Sequence, residues 1–382
     1  MIECSSKKIK ELSEIFDRIQ RERLNDSMTY NRVAVAKFDG MGDFVLFLDF
    51  ASHLRSFYHG SRIVLFTAPN NEYFAVQSGY FDEVLTISTT SMNEENILNT
   101  YKTSICKYRF DLLLNPTGPR HFNSELLCAL IYAKKKIAAK YECADMPTPF
   151  HKYLSRIYDE EIDNGQWNMM LVQNAEFARG LGFTEMRAAV PTLRCSQRPP
   201  LITGDYCIIF IGGSFRRKCW NINKMAFVMR HIINVIKIKC VLCGVDEDCA
   251  DAAYLQSIFG CDVIDMTGKT DLDELMNLII YGKFFLGNDT SAAHIATALG
   301  IPAIVISGQF AAERFFPYVI ETGELSVLPI EIKAVFACAG CSFDYRKSFA
   351  CVKNSQNSIL PCVDSVSEYS VIKAIDKYII GK

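Results

Sequence analysis

The stretch Gly287-Asn288-Asp289-Thr290-Ser291-Ala292-Ala293-His294 connects a short apolar run to a segment with a helical pattern. Residues 283–286 before it predict a buried strand, and residues 292–299 predict a helix that ends at Gly300-Ile301-Pro302. The Asn, Asp, Thr and Ser between them are residue types that favour a helix N-terminus. Because the first N–H groups of a helix lack intrahelical partners and carry partial positive charge, this turn suits a phosphate. An ordinary capped connection is the alternative.

The composition predicts a globular protein with two domains. The chain has 382 residues, of which 49% are apolar, and its formal net charge of −2 gives no argument for nucleic-acid binding. Its fifteen cysteines, several of them in apparent core strands, are typical of a reducing compartment. No apolar stretch approaches the ~20 residues that span a bilayer, and the N-terminus has no signal pattern. We therefore expect a cytoplasmic protein with peripheral membrane contact at most.

The first half of the chain alternates between strand and helix patterns. Strands are predicted at residues 32–38, 62–67, 84–87 and 110–115, and a helix at 44–57. This alternation predicts an α/β domain over residues 32–190, with a parallel sheet covered on both faces. Residues 1–31 predict a helical extension, and 141–190 predict mainly helix. The lysines of residues 134–140 predict a solvated basic patch, with contact to an anionic acceptor or membrane as the alternative.

The first predicted strand is followed by a turn with two glycines and an aspartate. Gly40, Met41 and Gly42 precede Asp43, at the carboxyl end of a strand, where ligands of parallel sheets bind. The glycines match half of a dinucleotide fingerprint, but Val45 replaces its third glycine and no acidic residue ends the second strand. Otherwise the glycines allow a sugar or a backbone to approach closely, and Asp43 is a candidate general base. A plain helix-start aspartate is the alternative.

A second α/β domain is predicted over residues 206–335. Residues 191–205, with two consecutive prolines, predict the linker. The turn Gly212-Gly213-Ser214, with Lys218 close behind, follows a predicted strand and shares a sheet edge with the Gly287 turn. Two such turns and a lysine predict a diphosphate site without a P-loop, whose sequence is absent. Lys218 is suited to a leaving phosphate.

The tail, residues 336–382, contains four cysteines with metal-ligand spacing. These residues are Cys338, Cys341, Cys351 and Cys362. Four thiolates predict a tetrahedral zinc or iron site, which would be structural because a closed set leaves no open position for catalysis. Since the chain is rich in cysteine throughout, thiols without a metal are the alternative.

Together these motifs resemble glycosyltransferase family 9, the heptosyltransferase family of bacterial lipopolysaccharide assembly. The resemblance covers about residues 32–376, in the family's order. The matching segments are Val33 to Asp43, Gly212 to Trp220, Asp265 to Leu272, Gly287 to His294, Gln309 to Tyr318 and the cysteine-containing tail. The resemblance implies a GT-B fold, in which two Rossmann-like domains with parallel sheets face each other across a cleft. It also implies a final helix that crosses back to the first domain.

The resemblance further implies an inverting transferase that typically uses ADP-heptose and needs no catalytic metal. Asp43 takes the place of the family's general base. The donor diphosphate is expected at Gly212, Gly213, Ser214, Lys218, Thr290 and Ser291, and other donor contacts at Glu247, Met266, Asp289 and His294. The alignment of Glu247 is ambiguous by one position with Asp248. Because Ser291 replaces a usual glycine, the donor sugar stays open.

The acceptor that the family implies is a hydroxyl of a lipid-linked core or surface glycan. A protein acceptor is an alternative, since some relatives with a Cys-rich tail are thought to glycosylate autotransporters. A nucleotide-sugar-binding protein that has lost transfer is another, although such a binder would not need Asp43. A dehydrogenase is disfavoured because the dinucleotide fingerprint is incomplete.

Overall fold

The computed structural model describes residues 2–23, 31–90, 92–118, 120–141, 156–165, 168–195, 198–311, 313–323, 327–336 and 359–381. The chain forms two compact units, each built on a six-stranded parallel sheet. The first unit consists of Met1–Gln166 and Val172–Ala188, and the second of Trp167–Leu171 and Ala189–Lys382. No helix among the described residues is long and apolar enough to cross a bilayer.

The sheet of the first unit has the strand order β3-β2-β1-β4-β5-β6, with all neighbours parallel. The strands are β1 (Arg32–Lys37), β2 (Arg62–Thr67), β3 (Glu83–Thr86), β4 (Phe110–Asn115), β5 (Ala133–Ala139) and β6 (Glu160–Ile162). The helices that accompany them are α1 (Ile2–Arg23), α2 (Met41–Phe57), α3 (Glu72–Ser78), α4 (Glu94–Thr100), α5 (Phe122–Leu130) and α6 (Met170–Gly180). Every residue of β1 after Arg32 is buried, as expected when helices cover both faces of a parallel sheet.

The sheet of the second unit has the strand order β12-β11-β10-β7-β8-β9, again with all neighbours parallel. Its strands are β7 (Tyr206–Phe210), β8 (Lys239–Cys243), β9 (Val263–Asp265), β10 (Phe285–Asn288), β11 (Ala303–Ser307) and β12 (Ile330–Lys333). Its helices are α7 (Ile222–His231), α8 (Cys249–Phe259), α9 (Leu272–Tyr281), α10 (Ser291–Ala298), α11 (Pro361–Asp364) and α12 (Glu368–Ile375). The predicted α/β class with two parallel sheets is confirmed.

The predicted basic patch is wrong, because residues 133–139 form β5 inside the sheet. Lys136 is completely buried, and its Nζ donates hydrogen bonds to the carbonyl oxygens of Cys128 at 2.7 Å and Ala129 at 3.0 Å. A lysine can lie in a core when its aliphatic stem packs there and its amine finds acceptors. The run of lysines therefore concealed a strand.

Two other boundaries differ from the prediction. β6 (Glu160–Ile162) lies within the segment that was expected to be mainly helical. The strand expected at 283–286 is Phe285–Asn288, so Gly287 and Asn288 belong to the sheet. A Cβ on Gly287 would come within 2.9 Å of the carbonyl oxygen of Phe210 on β7. The glycine thus permits the close approach of β10 and β7.

Helices near both termini of the chain contribute to the two cores. In α1, Leu12, Phe16 and Ile19 are buried in the core of the first unit. In α12, Val371 and Ile375 are buried in the core of the second unit. The final helix, which the resemblance expects to cross back to the first domain, therefore has a buried face within the second unit.

Candidate functional site

The strand order of the second sheet indicates where a ligand binds. From β7 the chain proceeds outward through β8 to β9, whereas β10, β11 and β12 follow on the other side. In open parallel sheets, ligands bind beyond the carboxyl ends of the two strands between which the order reverses. Those strands are β7 and β10, which lead into the predicted glycine turn and the predicted Asp-Thr-Ser turn.

Asn288 joins the segments that follow these two strands. Its Nδ2 donates hydrogen bonds to the carbonyl oxygens of Ile211 at 3.0 Å and Gly212 at 2.9 Å. Its Oδ1 accepts a hydrogen bond of 2.9 Å from the backbone N–H of Trp220. Only 1% of Asn288 is exposed, so these bonds are shielded from water. The sequence placed this residue among those that favour a helix N-terminus, whereas it ends β10 and connects two segments; the signal for this role was a polar side chain at the end of a buried strand.

The start of α10 has features of an anion site. Its N-cap is Thr290, whose backbone is extended, and no side chain caps the helix. Oγ1 of Thr290 is buried and has no hydrogen-bond partner in the described part of the chain. Thr290 and Ser291 are both half-buried. The helix start can therefore offer a hydroxyl, N–H groups and partial positive charge to an anion.

Lys218 lies at the end of the glycine turn. Gly212 is buried, Gly213 half-buried and Ser214 exposed. The half-buried Lys218 follows in a short 3-10 turn. Its Nζ lies 4.7 Å from the ring centroid of Phe310. This aromatic contact keeps the ammonium group beside the turn. Among the residues that the structure describes, no anionic partner neutralises it.

His294 is buried inside an aromatic layer. Its ring stacks on Phe316 at 4.7 Å, and its Nδ1 lies 2.7 Å from the hydroxyl of Tyr318. Burial, together with the positive charge of Lys218, lowers the pKa of His294 to about 3. The ring is consequently neutral at neutral pH. Because the charge of Lys218 affects the pKa of His294, Lys218 lies within electrostatic range of α10.

The carboxyl ends of β10 to β12 enclose a small polar cavity beside Asp289. Asp289 is 7% exposed, and its backbone N–H donates a hydrogen bond of 3.1 Å to the carbonyl oxygen of Ile306. In the cavity lining, Glu331 accepts a hydrogen bond of 2.5 Å from Ser307 and forms an ion pair of 2.8 Å with Lys333. Glu331 and Lys333 were not among the predicted site residues because β12 was not predicted from the sequence.

The neighbouring acids Glu247 and Asp248 occupy different environments. Oδ2 of the buried Asp248 accepts a hydrogen bond of 3.0 Å from the N–H of Val245. A Cβ on Gly212 or Gly244 would come within 2.1 or 2.7 Å of that same oxygen. Asp248 therefore packs between two glycine turns, and burial raises its pKa. Glu247 is exposed, so its carboxylate is the one accessible to a ligand.

Met266 follows β9 on the same edge of the sheet. It is half-buried, and its backbone N–H donates a hydrogen bond of 3.0 Å to the carbonyl oxygen of Leu242. The structure thus places the predicted donor residues of the second unit on segments that follow carboxyl ends of parallel strands. Their contacts with a donor stay predictions.

In the first unit, the strand order reverses between β1 and β4. The segment after β1 leads directly into α2, which begins at Met41. Gly42 and Asp43 therefore lie in the first helical turn and not, as predicted, in a turn before the helix. The N-cap is Gly40, whose carbonyl oxygen accepts a hydrogen bond of 3.0 Å from Phe44. Asp43 is half-buried at a helix start that no side chain caps.

A second aspartate in this segment is held by a buried lysine. Oδ2 of Asp39 lies 2.7 Å from Nζ of Lys37, whose side chain is completely buried. The side chain of Asn71 donates a hydrogen bond of 3.0 Å to the carbonyl oxygen of Asp39. The hydroxyl of Thr67 donates one of 2.6 Å to the carbonyl oxygen of Lys37. These bonds fix the chain immediately before α2. The sequence predicts Asp43 alone as the candidate base, and the structure shows that Asp39 is committed to this ion pair.

Three of the four predicted metal ligands, Cys338, Cys341 and Cys351, lie outside the described residues. Cys362 lies in α11, where it is buried in the core of the second unit. The structure shows no group of three or more His, Cys, Asp or Glu side chains that could hold a metal within the ranges it describes. The metal site stays a prediction.

Solved structures share this fold at low sequence identity. The glycosyltransferase family 9 protein of Veillonella parvula is 16% identical with a TM-score of 0.69, covering 94% of this chain and 99% of its own. The E. coli heptosyltransferase WaaC with ADP-2-deoxy-2-fluoro heptose is 14% identical to this chain, with a TM-score of 0.61. The alignment covers 91% of this chain and 99% of WaaC. The dodecameric iron-containing heptosyltransferase TibC from enterotoxigenic E. coli, with ADP-D-β-D-heptose, is 16% identical to this chain, with a TM-score of 0.55. The alignment covers 92% of this chain and 77% of TibC.

Sequence comparison identifies the family. No curated protein matches the chain. The family model for glycosyltransferase family 9 (heptosyltransferase) matches residues 99–333, which is more than half of the chain. The match spans the last three strands of the first sheet and all of the second, and the two parallel sheets agree with the GT-B class of fold. The chain therefore belongs to glycosyltransferase family 9 and is a glycosyltransferase of the heptosyltransferase type.

Proposed function

We propose that this protein transfers heptose from ADP-heptose to a hydroxyl of a lipopolysaccharide-core or surface-glycan acceptor. The observation that carries the proposal is the attachment of the Gly212 turn to β10 through Asn288, with Lys218 and the start of α10 nearby. Two structures with a similar fold contain an ADP-linked heptose or its fluoro analogue, which supports an ADP-linked donor.

The donor diphosphate binds, in this proposal, between the glycine turn and the start of α10. Gly212, Gly213 and Ser214 supply a turn in which only the serine carries a side chain. Thr290 and Ser291 supply hydroxyls, and the buried Oγ1 of Thr290 has no competing partner among the described residues. Breaking the bond to the anomeric carbon leaves negative charge on the diphosphate, which fixed donors and Lys218 stabilise more than the ground state.

The remaining donor residues surround this diphosphate position. Glu247, being exposed, accepts hydroxyl groups of the donor, while Asp248 holds the glycine turns. Met266 contacts the nucleoside, and Asp289 contacts the sugar. His294 is neutral and buried, so it contributes through the packing of α10 and not through charge.

Asp43 removes the proton from the attacking acceptor hydroxyl. Its carboxylate is half-buried and follows Gly40 and Gly42, which leave space for a sugar. The hydroxyl oxygen forms the new bond on the face opposite the leaving diphosphate, so the anomeric configuration inverts. No metal takes part in this step; a zinc or iron at the four cysteines would stabilise the tail only.

A protein acceptor is the second candidate. The chain has the Cys-rich tail of relatives that are thought to glycosylate autotransporters, and the iron-containing TibC shares its fold. The donor site would be the same, so only the acceptor distinguishes the two candidates.

Transfer assays with ADP-heptose test the proposal. The full chain should release ADP when a core glycan or an autotransporter protein is supplied, and heptose should appear on the acceptor. Lys218→Ala should reduce this rate by roughly 10²-fold or more if the lysine stabilises the leaving group. Lys283→Ala is the matched control, because that exposed lysine pairs with Asp205 at the amino end of β10. Equal rates for the two variants would contradict the assignment.

A further inference from the structure

We infer that the first unit contains a binding pocket for a phosphate-bearing anion, at the sheet edge opposite to the one that carries Asp43. The pocket lies at the amino ends of β1 to β4 and has a volume of about 450 Å³. Since β1 has six residues, roughly 20 Å separates its two ends. The pocket is therefore distinct from the proposed catalytic edge, and the inference does not depend on transfer activity.

The lining carries an excess of positive charge. Four of its side chains are cationic, namely Arg32, Arg62, Lys107 and Arg109, and Glu83 is the one acid among the lining residues. The local balance is thus +3, whereas the whole chain has a formal net charge of −2. This concentration of positive charge attracts anions to the amino edge.

The single acid is already neutralised by partners in the pocket. Glu83 accepts a hydrogen bond from the hydroxyl of Tyr108 and forms an ion pair of 2.9 Å with Arg62. The hydrogen bond from Tyr108, followed by that from Arg62, lowers the pKa of Glu83, which therefore stays ionised. One acid balances one arginine, so the lining itself offers no counter-charge to its other three cations.

Two of these cations are available to a ligand. Arg32 and Lys107 are exposed, and neither forms an ion pair within the part of the chain that the structure describes. Arg109 is partly engaged, because its guanidinium lies 4.8 Å from the ring centroid of Tyr132 and 3.9 Å from Glu22.

The register of the sheet brings two of the cations together. Arg32 pairs directly with Arg62 across β1 and β2, although the two residues are far apart in the sequence. Like charges in directly opposed positions destabilise a sheet. An anion bound between the strand ends would remove that repulsion.

The floor of the pocket suits a charged ligand. The rings of Tyr108 and Phe110 stack with centroids 5.7 Å apart and planes 5° apart, which gives a flat apolar surface. Charge interactions above an apolar surface are screened less than in open water. Guanidinium groups present paired N–H donors that match phosphate oxygens. A free phosphorylated compound and the headgroup of an anionic phospholipid both supply this chemistry.

Hydrogen-exchange mass spectrometry of the full chain with inorganic pyrophosphate tests the site. Residues 58–66 and 105–112 should become protected. In Arg32→Ser/Lys107→Ser, the affinity read from this protection should fall by at least about tenfold, because charge-assisted hydrogen bonds are lost. Lys218→Ala, which changes only the proposed donor site, should retain the protection. Lys10→Ser/Lys373→Ser is the control for the loss of two positive charges elsewhere.

Co-sedimentation with vesicles separates the two sources of phosphate. Binding to phosphatidylglycerol but not phosphatidylcholine vesicles, lost in Arg32→Ser/Lys107→Ser, would identify a lipid headgroup. Pyrophosphate protection without vesicle binding would identify a free anion. The inference is overturned if neither probe binds, or if the double variant binds both probes as the unmodified chain does.

Discussion

The side-chain amide of Asn288 donates a hydrogen bond of 2.9 Å to the carbonyl oxygen of Gly212. This bond connects the last residue of β10 to the turn after β7, and the order of the second sheet reverses between those strands. The same side chain also donates a hydrogen bond to the carbonyl oxygen of Ile211 and accepts one from the backbone N–H of Trp220. Because α10 begins three residues after Asn288, one buried amide fixes the glycine turn relative to that helix start.

Asn288→Asp should weaken ADP binding by at least about tenfold, since a carboxylate would face two carbonyl oxygens in place of a donor. The free energy of unfolding should also fall by about 1–3 kcal/mol. Calorimetric titration with ADP and urea unfolding measure the two effects. Asn223→Asp is the control, since Asn223 is exposed at the start of α7. Unchanged ADP affinity in Asn288→Asp would show that Asn288 does not position the donor site.

Asp43→Asn should lower the transfer rate by roughly 10²–10⁴-fold, the usual contribution of a positioned general base. ADP affinity should remain that of the unmodified chain, because Asp43 belongs to the first unit and the proposed nucleotide site to the second. Rate assays at saturating donor, combined with ADP titration, separate the two quantities. If Asp43→Asn transfers heptose at the normal rate, another group accepts the proton.

Acid should destabilise the protein through His294. Burial is the main cause that lowers the pKa of His294 from its ordinary value of 6.5, which applies in the unfolded chain, to about 3 in the folded protein. Between these values the unfolded chain binds a proton that the folded chain does not, so stability falls as the pH falls. From pH 7 to pH 5 the loss should be about 2 kcal/mol greater for the unmodified chain than for His294→Gln. Urea unfolding at the two pH values measures it, and parallel losses would contradict a neutral buried ring.

Lys136 should make the stability of the protein depend on pH between about 7 and 10.5. Burial lowers its pKa from 10.5 to about 7 in the folded state. Between those values the unfolded chain binds the proton, so stability rises with pH across this window. From pH 7 to pH 9 the unmodified chain should gain about 2 kcal/mol relative to Lys136→Met. Identical pH dependence of unfolding in the two proteins would mean that Lys136 stays charged in β5.

The α/β class, and the position of the glycine turn after a strand, could be predicted from the sequence because they depend on local pattern. The strands β2 and β4 begin and end at the predicted residues, since apolar runs and turn residues bound them. The role of Asn288 was not predictable, because its partner Gly212 lies 76 positions away. Likewise, the pairing of Arg32 with Arg62 follows from sheet register, which the pattern of one strand does not reveal.

Calorimetric titration of ADP into the full chain, with UDP, GDP, CDP and NAD as competitors, tests whether the donor is ADP-linked. We expect a single ADP site per chain whose affinity falls by at least about tenfold in Lys218→Ala and is unchanged in Lys283→Ala. The other nucleotides should not displace ADP. Absence of ADP binding, or equal binding of another nucleotide at the same site, would contradict an ADP-linked donor.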